Sequence, residues 1–165
     1  MRNTFYKLWT HVIFKTAPNY VLISAELSDL FFIEIEKRFL EQACPILAIG
    51  GMPDHVHILF EQNPLLPLHD TLRFVQDWTQ VWYQKHDFSA SYYKFRWHEG
   101  YAAYSVSESN KNKVADFIQR QTDIHEEIGV EEEIRRFNLL HQVDMTDAAN
   151  EAEIQTWANR FIYKN

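Results

Sequence analysis

His55-Val56-His57 has the residue types and spacing to do chemistry. The pair follows Gly50-Gly51-Met52-Pro53-Asp54, a run of turn residues: two permissive backbones, one fixed φ and a short capping side chain. It opens the segment His55-Val-His-Ile-Leu-Phe60, whose branched and apolar residues read as a strand. Strand side chains alternate faces, so Val56, Ile58 and Phe60 point one way and His55, His57 and Leu59 the other. A rise of about 3.3 Å per residue sets the bases of the two imidazoles about 6.5–7 Å apart, near enough for both rings to reach one ion. Such a site needs at least one more ligand from elsewhere in the chain. The same pattern also describes two polar residues on the wet face of a half-buried strand, in a chain with eight histidines.

The elements around this strand have to position the missing ligand. Residues 5–16 carry strand formers and end at Ala17-Pro18-Asn19. Ser28 to Gln42 predicts a first helix, with Ser28 as N-cap and Leu30, Ile33, Phe39 and Leu40 near helical spacing. Ile46–Ile49 is a short strand, turned back at Gly50-Gly51 into the histidine strand as a hairpin. Asp70 to Gln84 predicts a second helix with Leu72, Val75, Trp78, Thr79 and Trp82 on one face. Residues 94–106 form an aromatic-rich strand bent at Gly100. Ser109-Asn110 caps a third helix, Lys111 to about Glu127, with Val114, Phe117, Ile118 and Gln121 on a shared face. Strand, helix, strand, strand, helix, strand is the split βαβ order. The fold class expected is therefore α+β, ferredoxin-like: one antiparallel sheet with helices on one face. Two more helical stretches, Glu131–Leu140 and Ala149–Phe161, form a C-terminal extension. There Trp157 and Phe161 make an i, i+4 pair for docking on the body or on a second subunit.

The 165 residues suit one domain, with a core at about 5–128 and the extension at about 129–165. An apolar share of 46% excludes a disordered chain. The single cysteine, Cys44, excludes an intrachain disulfide. No signal-peptide h-region or transmembrane-length run is visible, so a cytoplasmic protein without a membrane partner is expected. The net charge of −7 counts against a broad phosphate-binding surface, though not against a local basic groove.

Three motifs in order carry a likeness: Met52-Pro-Asp-His-Val-His-Ile-Leu-Phe60, Trp97-His-Glu-Gly-Tyr-Ala-Ala-Tyr-Ser-Val-Ser-Glu-Ser-Asn110 and Val114-Ala-Asp-Phe-Ile-Gln-Arg-Gln121. With Thr10-His-Val-Ile-Phe14 on the first strand, roughly residues 5–142 resemble the single-tyrosine HUH transposases, which mobilise insertion sequences as single-stranded DNA. The resemblance implies a homodimer acting on hairpin DNA, and a divalent metal, Mg²⁺ or Mn²⁺, held by His55, His57 and Gln121. A neutral amide oxygen beside two imidazoles leaves open positions for phosphate and water. It also implies a tyrosine nucleophile one helical turn before Gln121, where this chain has Phe117, which has no oxygen to attack with. Tyr92, Tyr93, Tyr101 and Tyr104 lie on or before the preceding strand. Basic residues that the family carries after its first strand and in its second helix are replaced by Ala17-Pro18-Asn19-Tyr20 and Gln76-Asp77-Trp78. Lys7, Lys15, Arg73, Lys85, Lys94 and Arg96 remain as cations for a DNA groove. The expectation is a transposase-family protein that binds single-stranded hairpin DNA and lacks tyrosine-dependent cleavage. The alternatives are a metal-dependent nuclease using water or another tyrosine, and a dimeric interaction module with no nucleic-acid role.

Overall fold

The computed structural model describes residues 3–143 and 151–163. Four strands, β1 (Trp9–Lys15), β2 (Ile46–Met52), β3 (His55–Glu61) and β4 (Ala102–Val106), form one sheet in the order β2-β3-β1-β4. Every pairing is antiparallel. With helices α1 (Ala25–Glu41) and α2 (Leu68–His86) between strands, this is the expected split βαβ arrangement. Beyond β4 come α3 (Lys111–Gln119), α4 (Gln121–His125), α5 (Val130–Leu140) and α6 (Glu151–Phe161). Among the described residues no helix is long and apolar enough to cross a membrane.

Strand alternation divides the core in two. Val12, Phe14, Val56, Ile58 and Phe60 meet Phe31, Ile35 and Phe39 of α1 and Leu72, Val75 and Tyr83 of α2. Ile13 and Leu59, on the opposite face, meet Val114, Phe117 and Ile118 of α3, Phe137 of α5, and Trp157 and Ala158 of α6. The expected sheet with α1 and α2 on one face is what the structure has, and the helices that follow β4 add a second layer. The second sheet face also carries apolar residues, and α3, α5 and α6 cover it. Trp157 therefore docks on its own chain, its ring 5.3 Å from that of Phe137.

Several element boundaries differ from the expectation. α1 starts at Ala25, because the Ser24 carbonyl takes the Ser28 amide and Glu26 suits the first turn, so Ser28 lies inside the helix. Its inward face is Phe31, Ile35 and Phe39, leaving Leu30, Ile33 and Leu40 exposed. The Phe31 ring decides that rotation by packing among Tyr83, Phe95 and Trp97. On α2, Trp78 turns outward, where the Arg38 guanidinium lies 5.0 Å from its ring centre. The strand expected over residues 94–106 reduces to β4. Gly100 breaks it with φ +94°, and Trp97 makes only an isolated bridge to Thr16. Of the expected helix 149–161, Ala149 and Asn150 lie outside the described residues.

Gly50 and Gly51 are within β2, and the hairpin turns at Pro53-Asp54 instead. Their role is close approach. A Cβ on Gly50 would lie 2.5 Å from the Ile118 carbonyl oxygen, so the missing side chain lets α3 sit on the sheet. Gly50→Ala is expected to lower the unfolding free energy by about 1–3 kcal/mol, as overpacking against backbone does. An unchanged urea midpoint would contradict it.

Candidate metal centre

β3 carries His55 and His57 toward the α3–α6 side of the sheet, and both are fully buried rather than on a wet face. The third helix, expected to run unbroken to about Glu127, bends at Arg120 (φ −103°, ψ 26°), where α3 gives way to α4. The Arg120 guanidinium is held there by the Phe161 carbonyl. α4 then turns Gln121 and His125 toward β3. Gln121 Oε1 lies 3.4 Å from His55 Nε2 and 3.0 Å from His125 Nε2. α5 adds Glu133 from above. Its Oε2 is 3.1 Å from His57 Nε2, 3.3 Å from His125 Nε2 and 3.9 Å from His55 Nε2. One donor atom from each of His55, His57, His125 and Glu133 lies within 4.8 Å of every other.

The far side of each ring is already engaged. His55 Nδ1 bonds the Asp54 carboxylate at 2.7 Å, and His125 Nδ1 donates to the Ile128 carbonyl at 2.8 Å. His57 Nδ1 faces Nε2 of buried His11 at 2.9 Å. With protons on the Nδ1 atoms, the three Nε2 lone pairs converge beside a carboxylate, an arrangement that calls for a cation. Glu133 Oε1, also buried, has no hydrogen-bond partner among the described residues. This donor set fits a divalent metal.

The electrostatics favour the metal-binding forms of Glu133 and His57 and the protonated form of His125. Burial works to raise the Glu133 carboxyl, but the charge and hydrogen bonds of His57 and His125, with His55 behind them, outweigh it and hold it far below the ordinary range. Burial pushes His11 and His57 down, toward the neutral form that a metal needs. His125 is raised: the Glu133 carboxylate overcomes the opposing burial.

His55, His57 and Gln121, named from sequence, do come together. His125, His11 and Glu133 were not named. His125 follows Gln121 by four residues, the spacing that puts two helical side chains on one face, so its signal was present. His11 pairs with Leu59 across the sheet and so shares the face of His57. Phe117, also fully buried, has its ring 5.8 Å from His57, 5.5 Å from Phe137 and 6.3 Å from Trp157. Tyr104 lies 6.1 Å from His11 between ring centres, and its hydroxyl donates to Asn138. Burial first, then the Glu133 charge, pushes that phenol well above its usual range. Tyr101, partly buried against the first core, bonds His69, and Tyr92 and Tyr93 are exposed on the segment after α2.

The candidate DNA-contacting cations are spread over the surface. Lys7 pairs with Glu61, Lys15 with Glu131, Arg73 with Asp77 and Arg96 with Glu99. Arg96 also lies 5.9 Å from the Tyr20 ring centre, and Tyr20 packs on Tyr93 and Tyr93 on Tyr92. Lys94 is exposed between these aromatic and basic residues in the chain, and Lys85 is exposed near the end of α2.

Comparison with known proteins agrees with this architecture. The family model described as "Transposase IS200 like" matches residues 4–121. A candidate transposase of Deinococcus radiodurans R1, solved at 1.90 Å resolution, superposes with a TM-score of 0.57 at 21% identity, over 73% of this chain and 95% of that one. A REP-associated tyrosine transposase bound to a REP hairpin superposes with a TM-score of 0.51 at 11% identity, over 72% and 68%. No curated protein matches the chain.

Proposed function

The chain belongs to the IS200-like transposase family, and on that footing we propose that it binds single-stranded hairpin DNA, as a homodimer, without cleaving it through a tyrosine. Phe117 carries this reading. It occupies the position that the resemblance gives to the nucleophile, has no oxygen, and is sealed beneath Phe137 and Trp157. Tyr104, the tyrosine packed against His11, is a poor substitute, because its hydroxyl is bound to Asn138 and burial disfavours its anion. His55 and His57, with Gln121, would hold a divalent ion, which when bound supplies Lewis-acid charge.

The hairpin is the ligand class to which the REP-associated protein of similar fold is bound. On this chain, Tyr20, Tyr92 and Tyr93 offer faces on which unpaired bases stack, and Arg96 and Lys94 offer charge beside them. The ion pairs of Lys7, Arg73 and Arg96 are exposed ones, worth about 0–1 kcal/mol each, so a phosphate displaces the carboxylate at small cost.

A labelled DNA hairpin titrated at several salt concentrations, beside an unstructured strand of the same composition, tests the binding. The hairpin is expected to bind with affinity falling as salt rises, and Arg96→Ala to reduce the slope by about one. Salt-insensitive or absent binding overturns the DNA reading. On a denaturing gel with Mg²⁺ or Mn²⁺, no covalent protein–DNA band is expected from the native chain. None is expected from Phe117→Tyr either, since the new hydroxyl stays under Phe137 and Trp157. A band from the native chain means that another tyrosine cleaves. Light scattering that gives a monomer mass removes the homodimer.

A further inference from the structure

We propose that His125 and Glu133 join His55 and His57 in a closed four-donor site for a zinc-class divalent ion, which fastens α5 over the sheet. The inference rests on the reading of a metal at the histidine pair and changes which metal it is and what it does there.

Ligand chemistry is the first argument. Two imidazoles and an amide oxygen leave most of the coordination sphere to water and phosphate, which suits Mg²⁺ or Mn²⁺. Three imidazoles and a carboxylate make a nitrogen-rich set that favours zinc and its neighbours. Size is the second. Ligands about 2.0–2.1 Å from a tetrahedral ion lie about 3.3–3.4 Å from one another. Glu133 Oε2 stands 3.1, 3.3 and 3.9 Å from the three Nε2 atoms, and all four donors lie within 4.8 Å of one another, so the side chains draw inward to complete the tetrahedron. The surroundings are the third. Asp54, His11 and the Ile128 carbonyl hold the three rings by their Nδ1 atoms, the outer-shell support that metal-binding histidines have.

Closure follows from burial. His55, His57 and Glu133 are wholly shielded, Gln121 nearly so, and His125 is partly buried. Among the described residues, α5 therefore stands between a DNA phosphate and the ion. α5 is held at other points too, by Tyr104 on Asn138 and Lys15 on Glu131. A four-coordinate ion with no open position is structural.

The protein purified without chelator is assayed for metal content, then stripped and titrated with Zn²⁺, Co²⁺, Mg²⁺ and Mn²⁺. One Zn²⁺ per chain is expected to bind, to raise the Tm, and to resist a thousandfold excess of Mg²⁺. The Co²⁺ form is expected to show the intense visible absorption of tetrahedral cobalt. Glu133→Gln, close in shape and so suited to folding, is expected to weaken Zn²⁺ at least tenfold, and Gln121→Ala to weaken it less than threefold. Weak octahedral Co²⁺ bands, preference for Mg²⁺ or Mn²⁺, or a larger loss from Gln121→Ala than from Glu133→Gln would each overturn the closed site. Hairpin affinity, measured on the same stripped and loaded samples, reports separately on the DNA reading. Zinc without hairpin binding removes the DNA reading alone, and hairpin binding without zinc removes the closed site alone.

Discussion

Replacing Phe137 with alanine is expected to lower the unfolding free energy by about 3–5 kcal/mol, the usual cost of emptying a large aromatic site in a core. The ring is buried at the meeting point of the second core. It packs on His11 at 5.0 Å, Tyr104 at 5.2 Å, Phe117 at 5.5 Å and Trp157 at 5.3 Å between ring centres. It is also the apolar anchor of α5, whose other fully buried residue is Glu133. The variant is therefore expected to loosen the cover over the histidines as well as the core. Amide exchange should rise in α5 and α6 before it rises in β3. A urea midpoint within experimental error of the parent, with unchanged protection in α5, would show that this helix does not depend on its aromatic anchor.

His57→Ala is expected to cost a similar amount, about 3–5 kcal/mol, when the parent and the variant are compared in chelator so that no metal contributes. The loss has little to do with the volume removed. Glu133 is wholly buried, and without His57 it loses its shortest partner, while its Oε1 already has none among the described residues. An uncompensated carboxylate in that position is the main penalty. Adding Glu133→Gln to His57→Ala should therefore recover part of the loss. A double-mutant cycle should give a coupling of about 0.5–3 kcal/mol. Strict additivity would mean that the two side chains ignore each other in the folded protein.

Much of the fold was legible because strand alternation and helix periodicity are local. The split βαβ order, the two faces of β3, and helices near the observed positions all follow from residue spacing. The rotation of α1 was not legible. Leu30 and Phe31 are both apolar, and only the ring cluster of Tyr83, Phe95 and Trp97 decides which of them turns inward. The glycine pair shows the same limit. Gly50-Gly51 reads as a turn in isolation, and only the Ile118 carbonyl above the strand shows that it is there for close approach.

The candidate site divides along the same line. His55 and His57 share a face by the geometry of any strand, and Gln121 and His125 share one by the spacing of a helix. Phe117, lacking an oxygen, was plain from the residue itself. Glu133 was not readable. It stands among three glutamates in a row at the start of a polar helix, where a solvated face is the ordinary meaning. Its burial depends on α5 crossing back over the sheet, a placement set by Phe137 and Trp157 packing on residues far away in sequence. Sequence by itself determined that His55, His57 and Gln121 could serve one cation, because residue type and local period are properties of the chain. Only the tertiary structure decided that a carboxylate lies over the three imidazoles, because long-range packing fixes where α5 sits.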